Sequence, residues 1–185
     1  MRELYYYVYS HTKFVVLTLL IIVCFCGIFE WLADTVFADH KKLHCIWKII
    51  ISAELLLCML MFLYASLFSR SASGEVRYEL EPFWSYKRVI ETQSPFWKRQ
   101  ILYNVLAFLP IGNTLNYLMD NKRKWYYAIL IFATVSVSVE LIQLIFRLGS
   151  FEFDDIFNNL LGGILGYIIA ECMRKMCKRN RNNRG

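Results

Sequence analysis

WYYAILIFATVSVSVELIQLIFRLGSFEFDDIFNNLLGGILGYIIAECM, residues 125–173, decides the fold of this chain. Two apolar runs, each near the roughly 20 residues that carry a helix across a bilayer, flank the short turn Arg147-Leu148-Gly149-Ser150. Polar residues interrupt both runs. Glu140, Gln143 and Arg147 recur at i, i+3 and i+7 and so share one helical face. Asp154, Asp155, Asn158 and Asn159 open the following run, with the two aspartates at the positive end of its helix dipole. Charge at membrane depth is costly, so such residues turn towards a protein interior or a watery cavity. The cluster is the first candidate for a functional site.

Composition agrees with this class. Of 185 residues, 57% are hydrophobic and only 19% charged, too few to build the polar shell of a soluble domain of this length. The apolar runs are long and continuous, without the two-residue alternation of an outer-membrane barrel. The expected fold is all-α, a polytopic membrane helical bundle. The first run lacks the short h-region and the small-residue cleavage site of a signal peptide.

Five segments have membrane-spanning character: residues 14–32, 46–68, 101–118, 125–147 and 155–173. About five transmembrane helices are therefore expected. The third contains Pro110 and Gly112, which predict a kink or break, and also Asn104, Asn113 and Asn116. In the fifth, Gly162 and Gly166 form a G-x-x-x-G face that lets another helix approach closely. Residues 69–99 mix basic side chains with Phe83, Trp84, Tyr86, Phe96 and Trp97, a composition suited to the membrane interface. Three regions follow: an N-terminal helix and loop (1–45), a membrane domain (46–173) and a basic tail (174–185).

The formal charge of +6 does not point to nucleic acid. Six of the 21 basic residues lie in the tail directly after the last span, the pattern of a cytoplasmic end beside anionic lipid. With five crossings, nine basic residues fall on the side of the N-terminus, the 69–99 loop and the Gly149 turn, and twelve on the other. The count favours an outer N-terminus and a cytoplasmic C-terminus.

No cofactor motif is present, and neither a P-loop nor a nucleophile motif occurs. His40 and His44 are spaced i, i+4 but have no third ligand nearby, so no metal is expected. The six cysteines form no C-x-x-C pair; Cys24, Cys26 and Cys58 fall within apolar runs and read as small hydrophobic residues. If the cluster does chemistry, Glu140 and Asp155 are the acid–base candidates. Asn104, Gln143, Arg147, Asp154 and Asn159 are the binding candidates, with Arg147 suited to an anionic group. Antiparallel packing across the turn would bring Arg147 to Asp154 or Asp155, and Glu140 to Asn159. The architectural alternative treats the aspartates as helix caps and the amides as interhelical glue. Pro110, Gly112, Gly162 and Gly166 are assigned to helix shape and packing.

Taken jointly, Glu-Leu-Glu-Pro-Phe at 79–83, Asn-Val-Leu-Ala-Phe-Leu-Pro-Ile-Gly at 104–112, Glu-Leu-Ile-Gln at 140–143 and Phe-Asp-Asp-Ile-Phe-Asn-Asn-Leu-Leu-Gly-Gly-Ile-Leu-Gly-Tyr at 153–167 resemble the VanZ-like family. The resemblance covers roughly residues 46–172. It implies a small bacterial integral membrane protein whose family namesake lowers susceptibility to the glycopeptide teicoplanin. The matching positions include Pro82, Phe83, Asn104, Phe108, Pro110, Gly112, Glu140, Gln143, Arg147, Asp155, Asn159, Gly162 and Gly166. One departure lies in the loop, where Glu79 or Glu81 replaces an asparagine of the family pattern. The partners this implies are a membrane lipid or a lipid-linked cell-wall precursor, reached between the third, fourth and fifth segments. The alternatives are a membrane-embedded enzyme acting on such a substrate, and a non-catalytic scaffold assembling as a homo-oligomer through the Gly162/Gly166 face.

Overall fold

The computed structural model describes residues 41–68, 76–119 and 125–182. The first apolar run (14–32) with Glu30, the residues His11 and His40, and the Lys122–Lys124 turn lie outside the described residues. Five helices and two short strands follow one another: α1 (Lys41–Leu63) with a π-helical end (Tyr64–Phe68), β1 (Arg77–Glu79), α2 (Trp84–Thr92), α3 (Pro95–Leu118), α4 (Tyr126–Ile145), β2 (Ser150–Glu152) and α5 (Phe153–Asn182). The protein is a helical bundle. Among the described residues, three stretches are long and apolar enough to cross a membrane: Ile46–Leu67, Tyr126–Ile145 and Phe153–Met176.

The helix α3 is long enough to cross but is not among these three, for a physical reason. Its Asn113, Thr114 and Asn116 are all buried, so the polar residues that lower its hydropathy face the protein and not lipid. It packs along α5 and also contacts α1 and α4. A Cβ at Gly162 would lie 2.1 Å from the Val105 carbonyl oxygen, and one at Gly166 only 1.9 Å from that of Leu109. From the α3 side, a Cβ at Gly112 would meet the Gly163 carbonyl oxygen at 2.0 Å. The two backbones therefore touch, which only glycine permits. The G-x-x-x-G face is thus filled by α3 of the same chain. The break considered at Pro110 does not occur: the helix continues through it, and Thr114 Oγ1 donates to the Pro110 carbonyl at 2.7 Å.

Local signals set where the elements stop. Ser94 caps α3 by accepting from the Phe96 amide, and Pro95 takes the first helical position, where its missing N–H is not needed. The preceding Gln93 is left-handed (φ 50°) and closes α2 onto the Val89 carbonyl. At the end of α4, the Leu148 amide reaches the Gln143 carbonyl (2.8 Å) and the Arg147 amide that of Leu144 (3.3 Å), a Schellman closure with Arg147 left-handed at φ 55°. The helix ends there. Arg147 leaves the face shared by Glu140 and Gln143 and is exposed, which corrects the i+7 alignment.

The bundle is held by an apolar centre of Phe62, Phe108, Ile111, Leu115, Phe132 and Val139. Phe108 sits edge-on to Phe62 (centroids 4.8 Å) and to Phe132 (6.4 Å). The last helix runs on to Asn182, so the basic tail is largely its extension. Its first cations pair back, Arg174 to Glu171 at 2.8 Å and Lys175 to Glu171 at 3.5 Å.

Between the second and third segments, the described residues 76–94 carry β1 and α2, elements that hydropathy alone does not mark, and β1 pairs with β2 in parallel, Arg77 opposite Ser150 and Glu79 opposite Glu152. The β1–α2 segment and the Gly149 turn therefore share one end of the bundle.

Candidate functional site

The polar residues of the α4–α5 junction form two tiers. In the upper tier, carboxylates and amides hold backbone. Asp154, fully buried, accepts from the Phe83 amide (2.6 Å), the Ser85 amide (2.8 Å) and the Ser85 hydroxyl (2.5 Å). It therefore sits at the N-terminal ends of two helices, its own α5 and the α2 it caps from 69 or more positions away, where both dipoles favour a negative charge. Phe83 takes a left-handed conformation (φ 63°) that presents its amide to this carboxylate.

Glu140, 2% exposed, accepts from the Glu152 amide at 3.0 Å and so ties α4 to β2. Gln143 donates to the Ser66 carbonyl at 3.1 Å, inside the π-helical end of α1. Gln100 of α3 donates to Glu152 (2.8 Å) and to Asp155 (3.3 Å). These bonds join all three long polar-bearing helices to the strand pair.

The lower tier lies about one turn deeper. Asn159 donates to Ser136 Oγ at 2.8 Å, and Tyr86 OH donates to Asn158 Oδ1. Asn104, one turn after Gln100 on α3, stands at the corresponding level because Gln100 is paired with Asp155. Here satisfaction fails. Asn104 Nδ2, Asn158 Nδ2 and Asn159 Oδ1 are buried with no hydrogen-bond partner. Turning the Asn159 amide over only exchanges which of its atoms pairs with Ser136, so one stays unmet in either orientation. Leaving a buried polar atom unpaired costs about 1–3 kcal/mol each, and such groups call for a water, an ion or a ligand.

These contacts refine the expected pairings. Asp154 is bonded to Phe83 and Ser85, while the Schellman turn ends α4 at Arg147. Asn159 is bonded to Ser136, one turn along α4 from Glu140, which itself reaches the Glu152 amide of β2. Sequence reasoning also missed Ser85, Tyr86, Gln100, Ser136 and Glu152. Gln100 precedes Asn104 by one turn and Ser136 precedes Glu140 by one turn, so helical spacing would have flagged both. Nothing local marks Ser85 or Tyr86.

Electrostatics couple the tiers. Burial, and then the negative charge of Asp154, push the Tyr86 phenol above its ordinary value. Tyr86 therefore stays a neutral donor to Asn158. Among the described residues, no group of three or more His, Cys, Asp or Glu side chains is placed to hold a metal ion.

Comparison with known proteins places this architecture. No curated protein and no solved structure matches the chain. The family model VanZ/LLP1 matches residues 49–174, which contain nearly all of the three spans, the strand pair and both tiers. With three stretches among the described residues long and apolar enough to cross a membrane, and this match over most of its length, the chain is an integral membrane protein of the VanZ/LLP1 family.

Proposed function

We propose that the protein lowers the susceptibility of a bacterial envelope to teicoplanin-type glycopeptides by engaging the polar part of a membrane lipid or lipid-linked wall precursor at the lower tier. The observation that carries this reading is the set of unmet amide atoms on Asn104, Asn158 and Asn159. Two donors and one acceptor, close in level between apolar helices, suit a hydroxylated or carbonyl-bearing group. The family resemblance supplies the envelope context. In this reading the N-terminus is outside, the basic C-terminal end is in the cytoplasm, and the tiers face the side where glycopeptides act. Glycopeptides bind lipid-linked precursor from that side.

A catalytic role for Glu140 and Asp155 has less support. Glu140 already accepts from the Glu152 amide and Asp155 from Gln100, bonds that brace the fold. A scaffold assembling through Gly162 and Gly166 is disfavoured, since that face is packed on α3.

The test is expression in a susceptible Gram-positive host, with inhibitory concentrations measured for teicoplanin and vancomycin. Asn104→Leu is the decisive variant. Removing an unpaired amide leaves the fold neutral or stabilised, because no partner is orphaned. Wild type should raise the teicoplanin value and Asn104→Leu should lose the rise at equal membrane abundance. Full protection by the variant would refute the lower tier as the site.

A further inference from the structure

The outer surface of α2 and the first turn of α3 takes no part in either tier. Phe83 (49% exposed), Ile90 (73%) and Phe96 (56%) project from it. Behind them runs a chain of edge-on rings: Phe96 on Trp97 at 4.8 Å, Trp97 on Trp84 at 4.9 Å. Phe83 also meets Phe157 of the spanning helix α5 at 5.2 Å, so this apolar surface continues directly into the membrane-crossing one. Residues 83–99 carry four basic side chains (Lys87, Arg88, Lys98 and Arg99) and one acidic, Glu91. The Arg88 guanidinium lies over the Trp84 ring at 6.0 Å. Aromatic rings beside cations, at the end of spanning helices, have the chemistry of the headgroup layer.

The opposite end repeats the aromatic half of this pattern. Trp125, Tyr126 and Tyr127 are all exposed at the start of α4, and Arg174 lies over the Tyr117 ring at 5.4 Å. The spacing between the two ends is set by the register of the bundle. The Ser136–Asn159 bond aligns α4 with α5, and the Gln100–Asp155 bond aligns α5 with α3. Counting along these helices at about 1.5 Å per residue separates Trp125 from Trp97 by roughly 27 Å. The hydrocarbon core of a bilayer is about 30 Å thick.

We infer that α2 and the first turn of α3 form an aromatic–basic ledge seated in the headgroup layer of an anionic bilayer, fixing the membrane boundary at the level of Trp97 and Phe83. Asn104 then lies roughly 10 Å below that boundary, seven residues further along α3. A ligand for the lower tier would enter from within the lipid, as an amphiphile, and not from water.

Depth-dependent quenching of single-tryptophan variants of the full chain tests this, and it reads depth whatever the antibiotic phenotype. With Trp31, Trp47, Trp84 and Trp125 changed to Phe, the protein is reconstituted into phosphatidylcholine–phosphatidylglycerol vesicles. Their acyl chains carry bromine near the carbonyl end or near the methyl end. Trp97 should be quenched at least about twofold more by the shallow bromine, and a Leu165→Trp reporter on otherwise Trp-free protein should show the reverse order. Quenching of Trp97 by aqueous iodide with no response to either bromolipid would overturn the ledge, as would stronger quenching by the deep bromine. The charge is tested with Lys87→Glu/Lys98→Glu in the Trp97-only protein, helix content being checked by circular dichroism. Shallow quenching should fall about twofold in the anionic vesicles and stay unchanged in pure phosphatidylcholine. An equal fall in both, or none in either, would remove the anionic-lipid part of the proposal.

Discussion

Replacing Asp154 by Asn isolates the bonds that dock α2 onto the bundle. The carboxylate uses both oxygens, Oδ1 for the Phe83 amide at 2.6 Å and Oδ2 for the Ser85 amide and hydroxyl at 2.8 and 2.5 Å. Asparagine has one carbonyl oxygen, so in either orientation its NH2 group faces a backbone N–H. One buried donor is left unmet, at about 1–3 kcal/mol, and the remaining bonds lose their charge assistance. Docking should weaken by about 3 kcal/mol, which raises the open population of α2 about 100-fold. Amide hydrogen exchange in detergent reads this directly. A peptide spanning 80–92 should exchange about 100-fold faster in Asp154→Asn, while a peptide from the middle of α4 changes by less than about threefold. Exchange in 80–92 within about threefold of wild type would refute the view that Asp154 caps α2. Uniform acceleration in every peptide would show instead that Asp154 holds the whole bundle.

Three further outcomes follow from the geometry. Gly166→Ala places a Cβ 1.9 Å from the Leu109 carbonyl oxygen, a backbone atom that cannot rotate away, so the α3–α5 contact must open. A loss of about 1–3 kcal/mol or more is expected, seen as a lower melting temperature in detergent; Gly163→Ala, which meets the Phe132 ring at 2.7 Å, should cost less. Arg147→Gly relieves a left-handed backbone that disfavours side chains by about 1–2 kcal/mol, so its melting temperature should hold or rise; a marked fall would mean that the Arg147 side chain braces the fold. The Tyr86 phenol is raised above 10.0 in the folded state, so its contribution is fully present below that pH and is lost as pH rises through the folded value. Stability should therefore fall above about pH 10 with a slope that Tyr86→Phe reduces, read by thermal melts across alkaline buffers; identical slopes would exclude the effect.

Much of this molecule was legible without its structure because hydropathy and helical spacing are local properties. The residues of 125–173 suffice to predict two apolar helices with polar residues gathered where they meet. The spacing of Gly162 and Gly166 suffices to predict a close helix contact, since only the absence of Cβ atoms allows one. The loop was harder to read. Ser85 and Tyr86 look like any polar residues on a short interfacial helix, and their bonds to Asp154 and Asn158 join positions about seventy residues apart.

Hydrogen-bond satisfaction is what the tertiary structure alone decided. From the sequence, Asp154, Asn104, Asn158 and Asn159 are equivalent as polar residues at the start of apolar segments. In the fold, Asp154 accepts three bonds from the start of α2, whereas Asn104 donates none through Nδ2 and Asn158 and Asn159 make only part of what they could. The exit of Arg147 is of the same kind. Periodicity continues its face past Ile145, but a Schellman closure on Gln143 and Leu144 ends the helix first. Composition and period determine which residues are drawn together at one end of the bundle. Which of their atoms are spent on holding it together, and which stay unpaired, depends on partners that distant segments bring, and that is set only when the chain is packed.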